Sequence, residues 1–292
     1  MKKLFITLFI SMFLLSGCGT SSQEYNIIAT TLPVYTFTTA LCKDTNISVG
    51  RLITESVSCL HDYSLQVKQM RMIENADIIV ISGVGLEDFL EDTLHNAHNI
   101  VDASKDAHTL SVSHSHEHLQ DEHAHQHDLD PHIWLSPLNA QIMVQNIYQD
   151  LLLHYPEQAD VFHNNFQTLL KQLEDLQNYG VSQLSDIGCR ELITFHDGFS
   201  YFAESFDLTI LEAIEEESGS EASAKEIIHL ANLIDEHQLP AIFTEISGSD
   251  ACAGILQVET GAKVYALNMA MSGDSYFDAM YHNIDTIKEA LQ

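Results

Sequence analysis

Strand-like and helix-like segments alternate along both halves of this chain, and this alternation limits the fold more than any other feature. The apolar, strand-like runs are 25–30, 47–53, 77–81, 99–101, 192–195, 208–213, 241–245 and 263–267. Strands that alternate with helices usually form parallel sheets whose faces are covered by the helices. The sequence therefore predicts an α/β protein with one parallel sheet in each half.

A long helical stretch separates the two halves. It begins at Pro156 and continues to about Leu184, and no Gly or Pro occurs between Pro156 and Tyr179. A helix of about 25 residues would be ~37 Å long at 1.5 Å per residue, long enough to join two lobes rigidly. The chain of 292 residues can form two cores. We predict an N-terminal lobe at 25–153, a linking helix at 154–185 and a C-terminal lobe at 186–292.

The first 24 residues are not expected to belong to the fold. Two lysines precede an apolar run, 4–15, that is too short to span a membrane stably. The Leu-Ser-Gly-Cys sequence at 15–18 resembles a bacterial lipobox, in which the cysteine is acylated and becomes the mature N-terminus. We predict a lipoprotein signal at 1–18, a lipid on Cys18 and a tether at 19–24. The alternative is a plain signal peptide with a chance cysteine.

Four further cysteines would lie in an oxidising compartment after export. They are Cys42, Cys59, Cys189 and Cys252. Four cysteines allow three pairings. The pairs Cys42–Cys59 and Cys189–Cys252 keep each disulfide within one half of the chain, so we favour them. The spacings match no zinc-finger pattern.

The charge of the chain excludes one class of partner. Twelve basic and 42 acidic residues give a net charge of −30 at pH 7. Such a surface repels phosphate backbones, so nucleic acid is not expected to bind.

Histidines are concentrated in one polar, acidic stretch, 108–127, which we interpret as a loop because it has no apolar period. They are His108, His114, His116, His118, His123, His125 and His127. Tracts of this composition bind metal in some degree. The loop could collect zinc and pass it inward, sense zinc or serve only as a solvated segment.

A different kind of histidine follows this loop. His132 lies in Asp130-Pro131-His132-Ile133-Trp134-Leu135-Ser136-Pro137, where two prolines restrict the backbone. We expect a strand-like segment that fixes this imidazole. His61, His196 and Asp274 lie in loops after predicted strands, at the sheet edge where α/β proteins bind ligands. Three imidazoles and one carboxylate are ligands that tetrahedral zinc accepts.

Four motifs resemble those of one protein family. They are His61-Asp62-Tyr63-Ser64-Leu65, the segment from Asp130 to Pro137, Phe195-His196-Asp197-Gly198-Phe199-Ser200-Tyr201-Phe202 and Gly273-Asp274-Ser275-Tyr276. Their order and spacing, over nearly the whole mature chain, are similar to those of the ZnuA/TroA-type zinc- and manganese-binding lipoproteins of bacterial ABC importers. The resemblance implies two α/β lobes joined by one rigid helix, with a metal ion in the cleft between them.

The resemblance also implies a ligand set of His61, His132, His196 and Asp274. Manganese-binding members usually have Glu at the third position, so His196 favours zinc. Leu60 stands where some zinc-binding members have a ligating Glu, which leaves either Asp274 or a water as the fourth ligand. Glu245 either supports the site or is an ordinary carboxylate at a strand end.

The function implied is capture of zinc outside the cytoplasmic membrane by a lipid-anchored, monomeric binding protein, which delivers the ion to the permease of an ABC importer. Zinc is then the cargo, and the protein is not an enzyme. Alternatives are a manganese-binding member of the family, a surface adhesin and a zinc hydrolase, since three histidines with an open position can be catalytic. A hydrolase needs a separate general base. Asp62 and Asp197 both lie beside ligands, in motifs that the resemblance already explains.

Overall fold

A computed structural model of the chain describes residues 25–55, 60, 63–94, 99–111, 129–214, 223–246, 248, 251–271 and 273–292. The first elements are β1 (Ile27–Ala29), α1 (Leu32–Leu41), β2 (Val49–Arg51), α2 (Val67–Asn75), β3 (Ile78–Ile81), α3 (Glu91–Leu94), β4 (Ile100–Asp102), α4 (Pro137–His154) and α5 (Ala159–Gln183). The remaining elements are β5 (Glu191–Thr194), α6 (Ser200–Ser205), β6 (Thr209–Ala213), α7 (Ala224–His237), β7 (Ala241–Glu245), α8 (Ala251–Thr260), β8 (Lys263–Leu267) and α9 (Tyr276–Leu291).

The strands form two parallel, four-stranded sheets with equivalent order. The first sheet has the order β2-β1-β3-β4 and the second has β6-β5-β7-β8. In the first sheet the chain runs from β1 outward to β2 on one side and then to β3 and β4 on the other side, and β5–β8 repeat this pattern in the second sheet. Such a change of direction opens a crevice at the carboxyl ends of the two central strands. The predicted α/β class is confirmed, and among the described candidate ligands His196 closely follows the C-terminal end of β5.

The linking helix α5 is 25 residues long, as the sequence predicts. Its buried face consists of Phe162, Phe166, Leu169, Leu173, Leu176 and Gly180, which recur at helical spacing. The helix packs against α1 and α4 at the N-terminal sheet and against α9 beside the C-terminal sheet. It therefore connects both lobes. Within the described residues, no helix is long and apolar enough to cross a membrane.

One apolar core runs through both lobes. It extends from Ile28 in β1, through Trp134, to Tyr276 and Ile284 in α9. A smaller cluster that includes Ile193, β7 and α8 residues completes the C-terminal lobe. Because the larger core is shared, the two sheets are packed together by buried apolar surface and not only by the linking helix.

The predicted disulfides are not formed. Cys42 and Cys189 have free thiols, which contradicts the pairings Cys42–Cys59 and Cys189–Cys252; Cys59 itself lies outside the described residues. Cys42 is buried at the end of α1, and burial raises the pKa of its thiol to about 12. The Cys189 thiol lies 3.6 Å from the carbonyl oxygen of Glu191, so it interacts with backbone and not with a second sulfur.

Candidate metal centre

His132 stands on a buried turn. The segment after it, Ile133–Leu135, is a 3-10 helix, so the strand-like prediction is wrong. The turn directs Trp134 into the core, where its indole N–H donates to the carbonyl oxygen of Met269 at 2.8 Å. The hydroxyl of Tyr276 donates to the carbonyl oxygen of Trp134, also at 2.8 Å. These two bonds to the C-terminal lobe fix the base from which His132 projects.

Asp130 orients the imidazole of His132. Its Oδ1 accepts the backbone N–H of His132 at 2.9 Å and lies 2.7 Å from Nδ1 of the ring. Asp130 is buried, and the hydroxyl of Tyr201 donates to its carbonyl oxygen at 2.7 Å. A carboxylate beside Nδ1 places the ring proton there, which leaves the lone pair of Nε2 available for a metal.

His196 directs a second imidazole at the first. It follows β5, and its Nε2 lies 3.3 Å from Nε2 of His132. The side chains are 20% and 13% exposed, respectively. Two nitrogens that each lie 2.0–2.1 Å from a tetrahedral zinc ion are ~3.3–3.4 Å apart. The two rings therefore already have the separation of a pair of zinc ligands.

Gly198 permits this close approach. A Cβ atom at this position would lie 2.7 Å from Cδ2 of His196, 3.1 Å from Cγ of His132 and 2.5 Å from Cε of Met269. The two shortest distances do not occur for real Cβ atoms and the third is tight, so a larger residue would require the His196 ring and the end of Met269 to shift and would press on His132. The third motif thus needs its glycine for packing around the histidine pair.

Glu245 lies beside the pair at the end of β7. It is 7% exposed, and its Oε2 is 3.8 Å from Nδ1 of His196, beyond hydrogen-bond distance. Burial raises the pKa of Glu245 to about 7, and the charge of nearby His132 partly opposes this rise. Glu245 can therefore influence the site through its charge, without orienting His196 by a direct hydrogen bond.

Asp274 is separated from the histidine pair. It is exposed and follows Gly273, which has a φ of 92°. In the described part of the chain, no three His, Cys, Asp or Glu side chains form a group that could hold a metal ion. The structure therefore brings His132 and His196 together and leaves Asp274 apart from them.

Several predicted site residues lie outside the described residues. They are Cys18, His61, His114, His116, His118, His123, His125 and His127. Leu60 and Tyr63, on either side of residues 61–62, are described. Leu60 is buried, and its carbonyl oxygen accepts the N–H of Tyr63 at 3.0 Å.

His108 belongs to the fixed base of the histidine-rich loop. The backbone N–H of His108 donates to Oδ1 of Asn139 at 3.0 Å, and Nδ2 of Asn139 donates to the backbone carbonyl oxygen of His108 at 2.9 Å. The Nε2 atom of His108 lies 3.1 Å from the carboxylate of Glu204, and both side chains are more than half exposed. Ser111 and Leu129 then pair as an antiparallel bridge, which closes the base.

Sequence reasoning missed Asp130, Gly198 and Tyr201 as residues that position the histidines. Each lies inside one of the motifs quoted for its histidine, and Asp130 and Gly198 are each two residues away from one. That proximity could have identified the first two. The role of Tyr201 depends on a contact 71 residues away along the chain, which no local pattern reveals.

Comparison with known proteins identifies the family. The profile described as ZnuA, zinc-uptake complex component A, periplasmic, matches residues 27–290. The high-affinity zinc uptake system protein ZnuA of Bacillus subtilis (strain 168) is 29% identical over 301 residues, which cover 95% of this chain and 94% of that protein. The zinc-binding lipoprotein AdcA of Streptococcus pneumoniae (strain ATCC BAA-255 / R6) is 28% identical over 308 residues, 99% of this chain and 61% of that protein.

A solved structure of the metal-dependent lipoprotein YcdH from Bacillus subtilis superposes with a TM-score of 0.77 at 26% identity, and the match covers 92% of this chain and 99% of that one. The match to the family profile extends over most of the chain and includes His132, His196 and Asp274. The chain therefore belongs to the family of periplasmic A components of zinc-uptake complexes, which are substrate-binding proteins of ABC transporters and not enzymes.

Proposed function

We propose that this protein binds one zinc ion tightly outside the cytoplasmic membrane and delivers it to the permease of an ABC importer. The observation that carries the proposal is the histidine pair, whose Nε2 atoms face each other at 3.3 Å while Asp130 engages Nδ1 of His132. Zinc is the cargo of the protein. The zinc-related names of the relatives support this choice of ion.

The proposed ligands are His132 and His196, together with His61 and Asp274. Asp274 lies apart from the histidine pair, so either its loop moves toward the ion on binding or a water takes the fourth position. Three imidazoles and one carboxylate suit tetrahedral zinc. Manganese prefers oxygen donors and binds nitrogen sites less strongly, so the ligand types favour zinc.

A lipid on Cys18 is the proposed anchor, and the protein is proposed to act as a monomer. The order of basic residues, apolar run and Leu-Ser-Gly-Cys supports the anchor, and two of the compared proteins are named lipoproteins. Cys18→Ala should leave unprocessed precursor or release the protein from the membrane fraction. Unchanged processing together with unchanged lipid labelling would contradict the anchor.

Metal analysis of the soluble domain tests the cargo. Ser111 and Leu129 are paired, so residues 112–128 can be replaced by a two-residue Asn-Gly turn that keeps the base of the loop intact. This loop-replaced protein, dialysed after zinc loading, should retain about one zinc per chain, because only preorganised ligands hold metal strongly. Retention of zinc by the parent but not by the loop-replaced protein would contradict a site centred on His132.

A further inference from the structure

Arg51 bonds to the backbone of two segments, each of which precedes a candidate ligand in the sequence. It is the last residue of β2, and its Nη1 donates to the carbonyl oxygen of Gly273 at 2.7 Å, across 222 positions of the chain. Gly273 directly precedes Asp274. The Nη2 of the same guanidinium lies 3.4 Å from the carbonyl oxygen of Thr54, in the segment that leads to His61. One side chain thus touches the approaches to both ligands.

The segment on the Thr54 side is fastened to α2. Glu55 accepts the backbone N–H of Thr54 at 3.1 Å and the hydroxyl of Tyr63 at 2.8 Å. Tyr63 in turn accepts a hydrogen bond of 2.6 Å from the side-chain amide of Gln69, which is buried. The hydrogen bond from Tyr63 is the largest of the effects that lower the pKa of Glu55, and Arg51 adds a smaller one. Thr54, one of the two residues that Arg51 contacts, is therefore held in place by side chains on and before α2.

The segment on the Gly273 side is more open. Gly273 has a φ of 92°, a left-handed conformation that favours glycine, and among the described residues, its chain neighbours apart, no atom lies within 4 Å of an ideal Cβ built there. Asp274 is exposed. The hydrogen bond from Arg51 attaches this open segment to the N-terminal sheet, so it can limit how far Asp274 moves from the end of β2.

We propose that Arg51 is a positioning residue for the zinc site: it fastens the segment that precedes Asp274 to the end of β2 and thereby slows zinc dissociation. The inference rests on the proposed zinc site. The guanidinium is a rigid, planar fork that can serve two acceptors at once, whereas the ammonium of lysine is a compact charge on a flexible stem. Arginine is therefore required for the full effect.

The test is the zinc dissociation rate of the loop-replaced protein, measured by stopped flow with excess chelator. Arg51→Met should increase the rate by up to about tenfold, the lower end of the ~10–100-fold cost of losing a direct partner of a metal ligand, because Arg51 bonds to the backbone beside Asp274 and not to its carboxylate. Arg51→Lys should lie between Arg51→Met and the parent. Arg71→Met is the matched control, since Arg71 is exposed on α2, and it should leave the rate unchanged.

A double-mutant cycle with Asp274→Asn shows whether Arg51 acts through that loop. If it does, Arg51→Met should add little once Asp274 is replaced, because the two effects share one cause. Independent, multiplicative effects would overturn the inference, and so would an Arg51→Met rate equal to that of the Arg71 control. An effect of Arg51→Met without any effect of Asp274→Asn would also overturn it. Failure of the proposed function is a separate result, in which the loop-replaced parent itself retains no zinc.

Discussion

His132 and Asp274 are candidate ligands of one site, and the chain holds them in opposite ways. His132 projects from a buried turn, its ring is held at 2.7 Å by Asp130, and the turn is bonded to the other lobe through Trp134. Asp274 is exposed and follows a glycine in a left-handed conformation. The carbonyl oxygen that precedes it accepts a surface hydrogen bond from Arg51 of the N-terminal lobe.

This difference indicates how the affinity for zinc is divided. Ligands that are already in place need not be ordered when the ion binds, so they contribute most to affinity. The histidine pair therefore supplies two ligands that are already in position before zinc binds. The more open side can admit the ion and then complete its coordination. Three changes test how the histidine pair is held, a fourth tests a buried acid away from it, and the expected effects on zinc binding decrease from the first change to the last.

Removal of either histidine should have the largest effect. His132→Ala and His196→Ala should each weaken zinc binding by more than ~100-fold, because loss of an outer partner of a ligand alone costs ~10–100-fold. The measurement is competition with a fluorescent zinc chelator. His163→Ala, on the exposed face of α5, is the control. If either variant bound zinc as tightly as His163→Ala does, the histidine replaced in that variant would not be a zinc ligand.

Replacement of Asp130 should have the next largest effect. Asp130→Ala removes the acceptor that fixes the His132 ring, and we expect a loss of roughly 10–100-fold in zinc affinity. Asp130→Asn keeps an acceptor without the charge and should lose less. Asp186→Ala, at an exposed position, should match the parent in the same chelator competition. If Asp130→Ala also matched the parent, the ring would be held by other contacts.

Gly198→Ala should produce a smaller loss. Its Cβ would press on both imidazoles and on the flexible end of Met269, and part of this strain can be relieved by movement of the methionine. We expect a loss of about tenfold, because a displacement of about half an ångström already harms a metal site. Gly254→Ala is the matched control, since nothing lies within 4 Å of its Cβ position. Unchanged affinity in Gly198→Ala would show that the pair does not need this close packing.

Glu87→Gln should change the pH dependence of stability and leave zinc affinity unchanged. Glu87 is buried and accepts hydrogen bonds from Thr30, Ser82 and Gly83, and burial raises its pKa from 4.5 to about 7. Between those values the folded protein binds more protons than the unfolded chain, so this group makes stability fall as pH rises. At about 1.4 kcal/mol per pKa unit, the fall is roughly 3 kcal/mol.

Urea unfolding of the zinc-free protein at several pH values from 4.5 to 7 measures this effect. The difference between parent and Glu87→Gln isolates the contribution of Glu87 from those of other buried acids, including Glu245. The variant should lose less stability than the parent across this range. Parallel pH profiles would mean that Glu87 does not titrate there.

The sequence predicts the fold better than it predicts the site. The strands were predictable because each is a short apolar run between helical patterns, and α5 was predictable because it lacks Gly and Pro over most of its length. The 3-10 turn after His132 was not, since the short apolar run Ile133–Leu135 gives no periodicity that separates a strand from a turn. Disulfide pairing cannot be deduced from spacing either.

Within the site, motifs locate the residues along the chain but not the distances between them. The sequence predicted that His132 and His196 belong to one ligand set, but it did not predict that their Nε2 atoms face each other. The contact of Arg51 with Gly273 was not predicted at all, because it depends on how the two lobes pack. The separation of Asp274 from the pair is likewise a tertiary property of an exposed loop.

Competitive titration of the loop-replaced protein with zinc and manganese tests most directly whether histidines dominate the site. At neutral pH zinc should bind much more tightly than manganese, and His196→Glu should reduce this preference. Near pH 5 zinc binding should weaken strongly, since free imidazoles are protonated below ~6.5 and only neutral rings ligate. Equal affinity for the two ions at neutral pH, or zinc binding independent of pH over this range, would contradict a zinc site built on His132 and His196.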